Sequence, residues 1–93
     1  MSKYRIFELD EFRKSISRLT PSEIQLIRSR IEGYAYPLLR QEPHFGKNIK
    51  RLRDYDPATW RYRIGRYRVF YRVDEEERIV LISSVDRRKD AYR

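Results

Sequence analysis

Hydrophobic and polar positions follow two periods along the chain, and the change from one to the other divides it. Tyr4-Arg5-Ile6-Phe7-Glu8-Leu9 is a short β-prone run that predicts a first strand. Asp10 is a suitable N-cap for a helix whose apolar face is Phe12, Ile16 and Leu19. Thr20-Pro21-Ser22-Glu23 then supplies a Thr N-cap, Pro at the first helical position and Glu at the third, the signature of a capping box. The helix it opens carries Ile24, Ile27, Ile31 and Tyr34 on one stripe and is expected to end before Pro37. With so short a break, the two helices predict an antiparallel hairpin.

Residues 37–58 hold Pro37, Pro43, Gly46 and Pro57 and read as an irregular connection. The period then changes to two. Strands are predicted at about 59–64, 67–73 and 78–85, and the near-continuous apolar run of the last, Ile79 to Val85, predicts a central place in the sheet. The pattern as a whole is α+β: an N-terminal strand, a two-helix antiparallel hairpin, then a three-stranded antiparallel meander packed on the helices. Its 93 residues suggest a single domain over 1–93 with a modest core.

The stretch Trp60-Arg61-Tyr62-Arg63-Ile64-Gly65-Arg66-Tyr67-Arg68-Val69-Phe70-Tyr71-Arg72-Val73 concentrates the chemistry. Ile64-Gly65-Arg66-Tyr67 fits a two-residue turn with glycine at its first central position. In that register Arg63 opposes Arg68 and Arg61 opposes Phe70. Ile64–Tyr67, Tyr62–Val69 and Trp60–Tyr71 meet on the other face. One face is then basic and the other apolar, the latter packing on the helices with Trp60 in the core. Opposed like charges cost up to about 1 kcal/mol per pair, and arginine cannot relieve that by titrating. A bound anion would relieve it, and the guanidinium fork suits phosphate oxygens. Acidic neighbours, or arginines splayed into solvent, are the alternative.

Pairing Val73 with Arg78 across the acidic turn Asp74-Glu75-Glu76-Glu77 sets Arg68 opposite Ser83. The turn reads as a solvated loop. His44, the only histidine, reads as a surface residue.

Charge sharpens the picture. The chain carries 22 Lys and Arg against 14 Asp and Glu, a net of +8. The excess is uneven, with 8 against 6 in residues 1–46 and 14 against 8 in residues 47–93. A one-sided basic excess points to a polyanion such as nucleic acid, or simply to solubility. With no cysteine there is no disulfide or thiolate metal site, and one histidine cannot make an ordinary zinc ligand set. No carboxylate cluster suited to magnesium stands out, so no metal or other cofactor is expected. The absence of a leader-like or membrane-spanning apolar run predicts a soluble cytoplasmic protein.

The order Lys50-Arg51-Leu52, Trp60-Arg61-Tyr62-Arg63-Ile64-Gly65, Tyr67-Arg68-Val69-Phe70-Tyr71, Val85, and Arg88-Lys89-Asp90-Ala91-Tyr92-Arg93 resembles the RelE/ParE toxins, above all the RelE branch. The resemblance covers the whole chain in layout and is specific over residues 47–93. It implies the RelE-like fold and the toxin of a type II toxin–antitoxin pair, with an antitoxin protein as partner. It further implies cleavage of messenger RNA in the ribosomal A site by attack of a 2′-hydroxyl on the adjacent phosphate.

The catalytic residues it implies are Arg61, Arg63, Arg68, Arg88 and Tyr92. Lys47, Lys50, Arg51, Arg53, Arg66, Arg87 and Lys89 are the candidates for contact with RNA and ribosome. Gly65-Arg66 stands where many relatives have Gly-Asp, and Asp86-Arg87 where many have Gly-His. The acid/base group therefore stays open, Tyr92 being better suited than any arginine, whose pKa exceeds about 12. Inhibition of DNA gyrase in the manner of ParE, a non-catalytic RNA-binding module, and a toxin retained only to bind its antitoxin are the competing readings.

Overall fold

The computed structural model describes residues 2–87. Its elements are β1 (Arg5–Glu8), α1 (Asp10–Ser17), α2 (Pro21–Arg30), a π-helical turn (Ile31–Ala35), α3 (Tyr36–Gln41), β2 (Ile49–Arg51), β3 (Trp60–Ile64), β4 (Tyr67–Asp74) and β5 (Ile79–Arg87). The strands form one mixed sheet in the order β1-β5-β4-β3-β2. β1 runs parallel to β5, and the other pairs are antiparallel. The predicted meander is therefore present and gains a strand at each edge. β5 is interior, although β4 holds the middle place.

The β3–β4 register is the one the alternation predicts: Ile64 opposes Tyr67, Arg63 Arg68, Tyr62 Val69, Arg61 Phe70 and Trp60 Tyr71. Gly65 has φ of +56° at the first turn position, where a side chain would be strained. Tyr62, Ile64, Tyr67, Val69 and Tyr71 all point to the buried face. There they meet Phe12 and Ile16 of α1 and Ile27, Ile31, Ala35 and Leu39 of the long helical segment. Trp60 packs on this cluster, its ring stacked on Tyr71 with centroids 6.3 Å apart.

Four local expectations are corrected. Leu9, not Asp10, is the N-cap of α1, and Asp10 falls in the first turn, where its charge still suits the helix dipole. The second helix does not stop before Pro37 but stays helical through Gln41. A proline inside an α-helix removes one hydrogen bond and clashes with the carbonyl four residues back. The chain accommodates it by widening one turn, so that the Tyr36 amide donates to Ile31 O, five residues back. That turn also retunes the stripe. Ile27, Ile31, Ala35 and Leu39 recur every four residues, more than the ~3.6 of a regular α-turn, and the wider turn absorbs part of the excess. Tyr34 consequently faces solvent, 65% exposed.

The connection after this helix is not wholly irregular, since Ile49–Arg51 pairs with Trp60–Tyr62. Finally, Arg68 opposes Asp86, not Ser83, and Val73 opposes Val80, not Arg78. The turn keeps four residues but lies one position later, at 75–78, with Arg78 at φ +58°. A bulge opposite Phe70/Tyr71 then adds one residue to β5. The bulge keeps Val80, Ile82 and Val85 all on the buried face despite their uneven spacing. Ser83, left over by the bulge, donates its hydroxyl to Phe70 O at 3.1 Å.

Polar ties fix the layers. Beyond β1, the free edge of β5 is served by α1, with the Val85 amide donating to Ser15 Oγ at 3.1 Å. Glu8 accepts from Tyr36 Oη at 2.6 Å and from Arg28 Nη2 at 3.0 Å. Burial by itself would raise the Glu8 carboxyl, but these donors outweigh it and hold it below its ordinary value. The acidic turn is less free than expected, because Glu75 accepts from Tyr4 Oη at 3.0 Å and bonds His44. His44 also bonds Glu42, so the lone histidine joins that turn to the end of the long helix. Among the described residues no helix is long and apolar enough to cross a membrane.

Glu23 is the most connected carboxylate. It completes the predicted capping box with Thr20. It also accepts from Tyr67 Oη at 2.6 Å and from Arg87 Nη2 at 2.7 Å. The tyrosine hydroxyl, then the Thr20 amide and the arginine, hold its carboxyl down from 4.5 to about 2. Between those values the unfolded chain binds the proton and the folded chain does not, so stability is lost as pH falls through the window. Denaturant melts between about pH 5 and pH 2 should show wild-type stability dropping. Glu23→Gln should be less stable near neutrality and show a shallower pH slope; parallel slopes would contradict this role.

Candidate functional site

The helices cover one face of the sheet, and the site is built on the other. Residues opposite one another on neighbouring strands share a face, with Cβ atoms ~4.5–5.5 Å apart. The observed registers therefore lay two rows across the open face. The first runs Lys50, Arg61, Phe70, Ser84 over β2, β3, β4 and β5, and the second runs Arg63, Arg68, Asp86 over β3, β4 and β5. Arg61, Arg63 and Arg68 are each half-buried, since flanking side chains wall their stems.

The Arg61 and Arg68 guanidinium groups are held in place. Arg61 Nη1 donates to Asn48 O at 2.9 Å, and the same carbonyl accepts the Arg63 amide at 2.9 Å. Asn48 thus anchors β3 and one of its arginines to the chain entering β2. The Arg68 guanidinium carbon lies 5.5 Å from the centroid of the Phe70 ring. This cation–π contact leans Arg68 along its strand toward the first row. Arg72, two residues past Phe70, extends the basic character of the face.

The other predicted contact residues are spread more widely. Lys47 is exposed before β2, Arg53 is exposed after it, and Arg66 is exposed at the hairpin turn. Arg51 points to the other side of the sheet, where its guanidinium lies 5.7 Å from the Trp60 ring. Arg87 also points away from the two rows, because it is engaged by Glu23 on the helix side. Arg88, Lys89 and Tyr92 lie outside the described residues.

A cavity of about 360 Å³ borders the rows. Its walls are Phe70, Arg72, Ser84 and Asp86 of the sheet, with Tyr55 and Thr59 of the loop between β2 and β3. Thr59 fixes that loop, its hydroxyl donating to Pro57 O at 3.0 Å and its carbonyl accepting the Leu52 amide at 2.9 Å. Sequence reasoning missed Asn48, Tyr55 and Asp86. Asn48 acts through its backbone carbonyl, which no side-chain pattern reveals. Tyr55 and Asp86 reach the face only through the loop fold and the bulge. Phe70 was legible, since its parity matches that of Arg61 and Arg68.

Comparison with known proteins agrees with this architecture. Residues 6–92 match the ParE toxin family of type II toxin–antitoxin systems, parDE. The chain is 34% identical over 82 residues to toxin RelG of Mycobacterium tuberculosis, covering 87% of this chain and 86% of that protein. It is 34% identical over 80 residues to RelE1 of Methanocaldococcus jannaschii, covering 86% and 84%. Among solved structures, the toxin–antitoxin complex RelBE2 from Mycobacterium tuberculosis contains a similar chain. Its TM-score is 0.71 at 30% identity, covering 95% of this chain and 94% of that one. A variant of the E. coli toxin RelE in the free state shares the fold, with a TM-score of 0.66 at 18% identity, covering 99% and 90%.

The directly opposed Arg63–Arg68 pair yields a stability test. Arg63→Gln removes one of two like charges and should raise stability by up to about 1 kcal/mol in low salt. Added inorganic phosphate should stabilise the wild type more than the variant. Thermal melts with and without phosphate read both effects, and an equal phosphate shift in the two proteins would contradict an anion site at this pair.

Proposed function

This chain belongs to the RelE/ParE family of type II toxin–antitoxin toxins, and on that premise we propose that it is a ribosome-dependent endoribonuclease cutting messenger RNA in the A site. The observation that carries the reading is the pair of rows on the open sheet face, with Arg61 and Arg68 beside Phe70 and Arg63 opposite Arg68. Fixed cations of this kind suit a reaction whose negative charge grows on phosphate oxygens.

In the proposed reaction the 2′-oxygen attacks the adjacent phosphorus while the bond from phosphorus to the 5′-oxygen breaks. The 2′-hydroxyl proton passes to a base, and the leaving 5′-oxygen takes up a proton. Arg61 and Arg68 neutralise the non-bridging oxygens, and Arg63 holds the neighbouring phosphate. Arg88 adds charge from the tail and Tyr92 moves a proton, both assigned from the family resemblance. The guanidinium groups supply the positive charge that a metal ion provides in other nucleases, so the reaction is proposed as metal-independent.

Lys47, Lys50, Arg53, Arg66 and Lys89 would contact RNA backbone or ribosome, a salt-sensitive mode of binding. Arg51 and Arg87 were expected among these contacts; their engagement by Trp60 and Glu23 gives them a structural part first. Proton transfer by a tyrosine, whose ordinary pKa is ~10, is weak catalysis near neutral pH. An open site of this kind depends on a host that orients the RNA in line, the part assigned to the ribosome.

The solved relatives include RelB–RelE complexes, and an antitoxin is the proposed protein partner here. An acidic antitoxin segment would cover the basic face, and its apolar residues would cover the exposed Tyr34, Leu38 and Phe45 of the helix side. Inhibition of DNA gyrase is the second reading, favoured by the ParE description of the matching family.

The test is primer extension on a defined messenger RNA, with and without ribosomes carrying an empty A site. Cuts are expected only with ribosomes. Arg61→Ala or Arg68→Ala should lower the rate about 10²–10³-fold, and Arg88→Ala should also lower it. Intact RNA in every lane with folded protein would overturn the proposal, and a supercoiling assay would then test gyrase.

A further inference from the structure

The cavity beside the arginine rows is not accounted for by phosphate chemistry. Its volume of about 360 Å³ falls in the ordinary range for small-molecule sites, ~300–1,000 Å³. Its lining takes Phe70, Ser84 and Asp86 from the ends of the rows and adds the 55–59 loop. Asp56 and Asp86 bring two carboxylates against the single guanidinium of Arg72, Ser84 and Thr59 bring hydroxyls, and Tyr55 and Phe70 bring two aromatic rings. With two carboxylates against one guanidinium the lining repels phosphate on balance, so an anion belongs among Arg61, Arg63 and Arg68 and not in the cavity. A flat, neutral, hydrogen-bonding group suits the cavity.

We infer that this cavity binds a single RNA base next to the phosphate held by Arg61 and Arg68, with Tyr55 and Phe70 as stacking surfaces and Asp86 as the acceptor that reads the base edge. The inference rests on the nuclease reading for the identity of the polymer. Its geometry is local. Phe70 is in both places at once: its ring carries the Arg68 guanidinium, and it lines the cavity. Arg61 is directly opposite Phe70, and Arg68 is two residues along the same strand, ~6.8 Å at 3.4 Å per residue. A phosphate on the rows and its own base in the cavity are therefore one short step apart. Tyr55 is 55% exposed, although the loop that carries it is closed by Thr59, so the ring is available to a stacked base. Stacking on aromatic and guanidinium planes is how single-stranded RNA bases are held.

The acceptors set a preference. A carboxylate accepts a hydrogen bond from an exocyclic amino group, as on cytosine. Uracil presents a carbonyl at that position and would face the Asp86 charge without a donor. Thr59 already donates to Pro57 O, which leaves the Ser84 hydroxyl to serve either base. Cytosine over uracil is therefore the expected order.

The test uses isotope-labelled full-length protein and trinucleotides with 2′-O-methyl groups, which remove the nucleophile and so cannot be cut by the proposed reaction. The probes differ only in a central cytosine or uracil. Amide shifts are expected at Tyr55, Phe70, Ser84 and Asp86, saturating at roughly tenfold lower cytosine probe than uracil probe. Tyr55→Ala should weaken the shifts at Ser84 and Asp86 and leave those at Arg61 and Arg63. Asp86→Asn, whose amide can donate to a carbonyl, should erase or invert the base preference. Shifts confined to the arginine rows, equal affinity for both probes, or no shifts at millimolar probe would each overturn the base site. The nuclease reading is judged separately by primer extension. Base binding without ribosomal cutting would sink that reading and leave this site standing.

Discussion

Two-residue alternation in a hairpin closed by a two-residue turn is the constraint on which the rest depends. Gly65 at φ +56° permits that turn, and the turn fixes the register of β3 against β4. Once the register is fixed, every side chain of the hairpin is committed to one face or the other. Tyr62, Ile64, Tyr67, Val69 and Tyr71 go to the core, and Arg61, Arg63 and Arg68 have no choice but the opposite side. Core and site are two consequences of one pleat. A slip of one residue would bury the arginines and expose the core together, so folding protects the site geometry.

Coverage of only one face completes the arrangement. α1 and the continuous helical segment 21–41 lie over the apolar side, and two ionic hubs secure them. Glu8 joins β1 to Arg28 and Tyr36, while Glu23 joins the helix start to Tyr67 and Arg87. Glu23 does three jobs with one carboxylate: it caps a helix, accepts a tyrosine hydroxyl from β4, and neutralises an arginine from the end of β5. That concentration of donors explains its low pKa better than burial could. It also sorts the basic residues. Arg87 is drawn to the helix side and Arg51 to the Trp60 ring, leaving the open face to a smaller set with a defined layout.

The open face then separates into a basic part and a mixed part. Phosphate is favoured where guanidinium groups gather and disfavoured where Asp56 and Asp86 line the cavity. The strain of opposed arginines and the acidity of the neighbouring hollow are complementary, and in the proposed reading each would steer a different part of a nucleotide. Phe70 is the hinge between them, because one ring serves Arg68 on one side and the cavity on the other.

The hairpin, its register and its basic face were legible in the residues because they rest on local rules. A turn length and a period of two settle them within fourteen residues. The capping box at Thr20 and Glu23 was legible for the same reason. Other features depended on partners far away in the chain. Helix continuation through Pro37 goes against the local penalty, and packing of Ala35 and Leu39 on the core overrides it by way of the π turn. The register of β5 turned on a bulge that exists to keep Val80, Ile82 and Val85 buried together, and only that bulge sets Asp86 beside Arg68. Short β2 declares itself only through its pairing with β3. The sequence alone determined which residues carry charge and which face of the hairpin they share, since alternation is a property of the backbone. Tertiary structure decided which of those charges remain available and what lies next to them, since that depends on strand order, a bulge and the fold of the 52–59 loop.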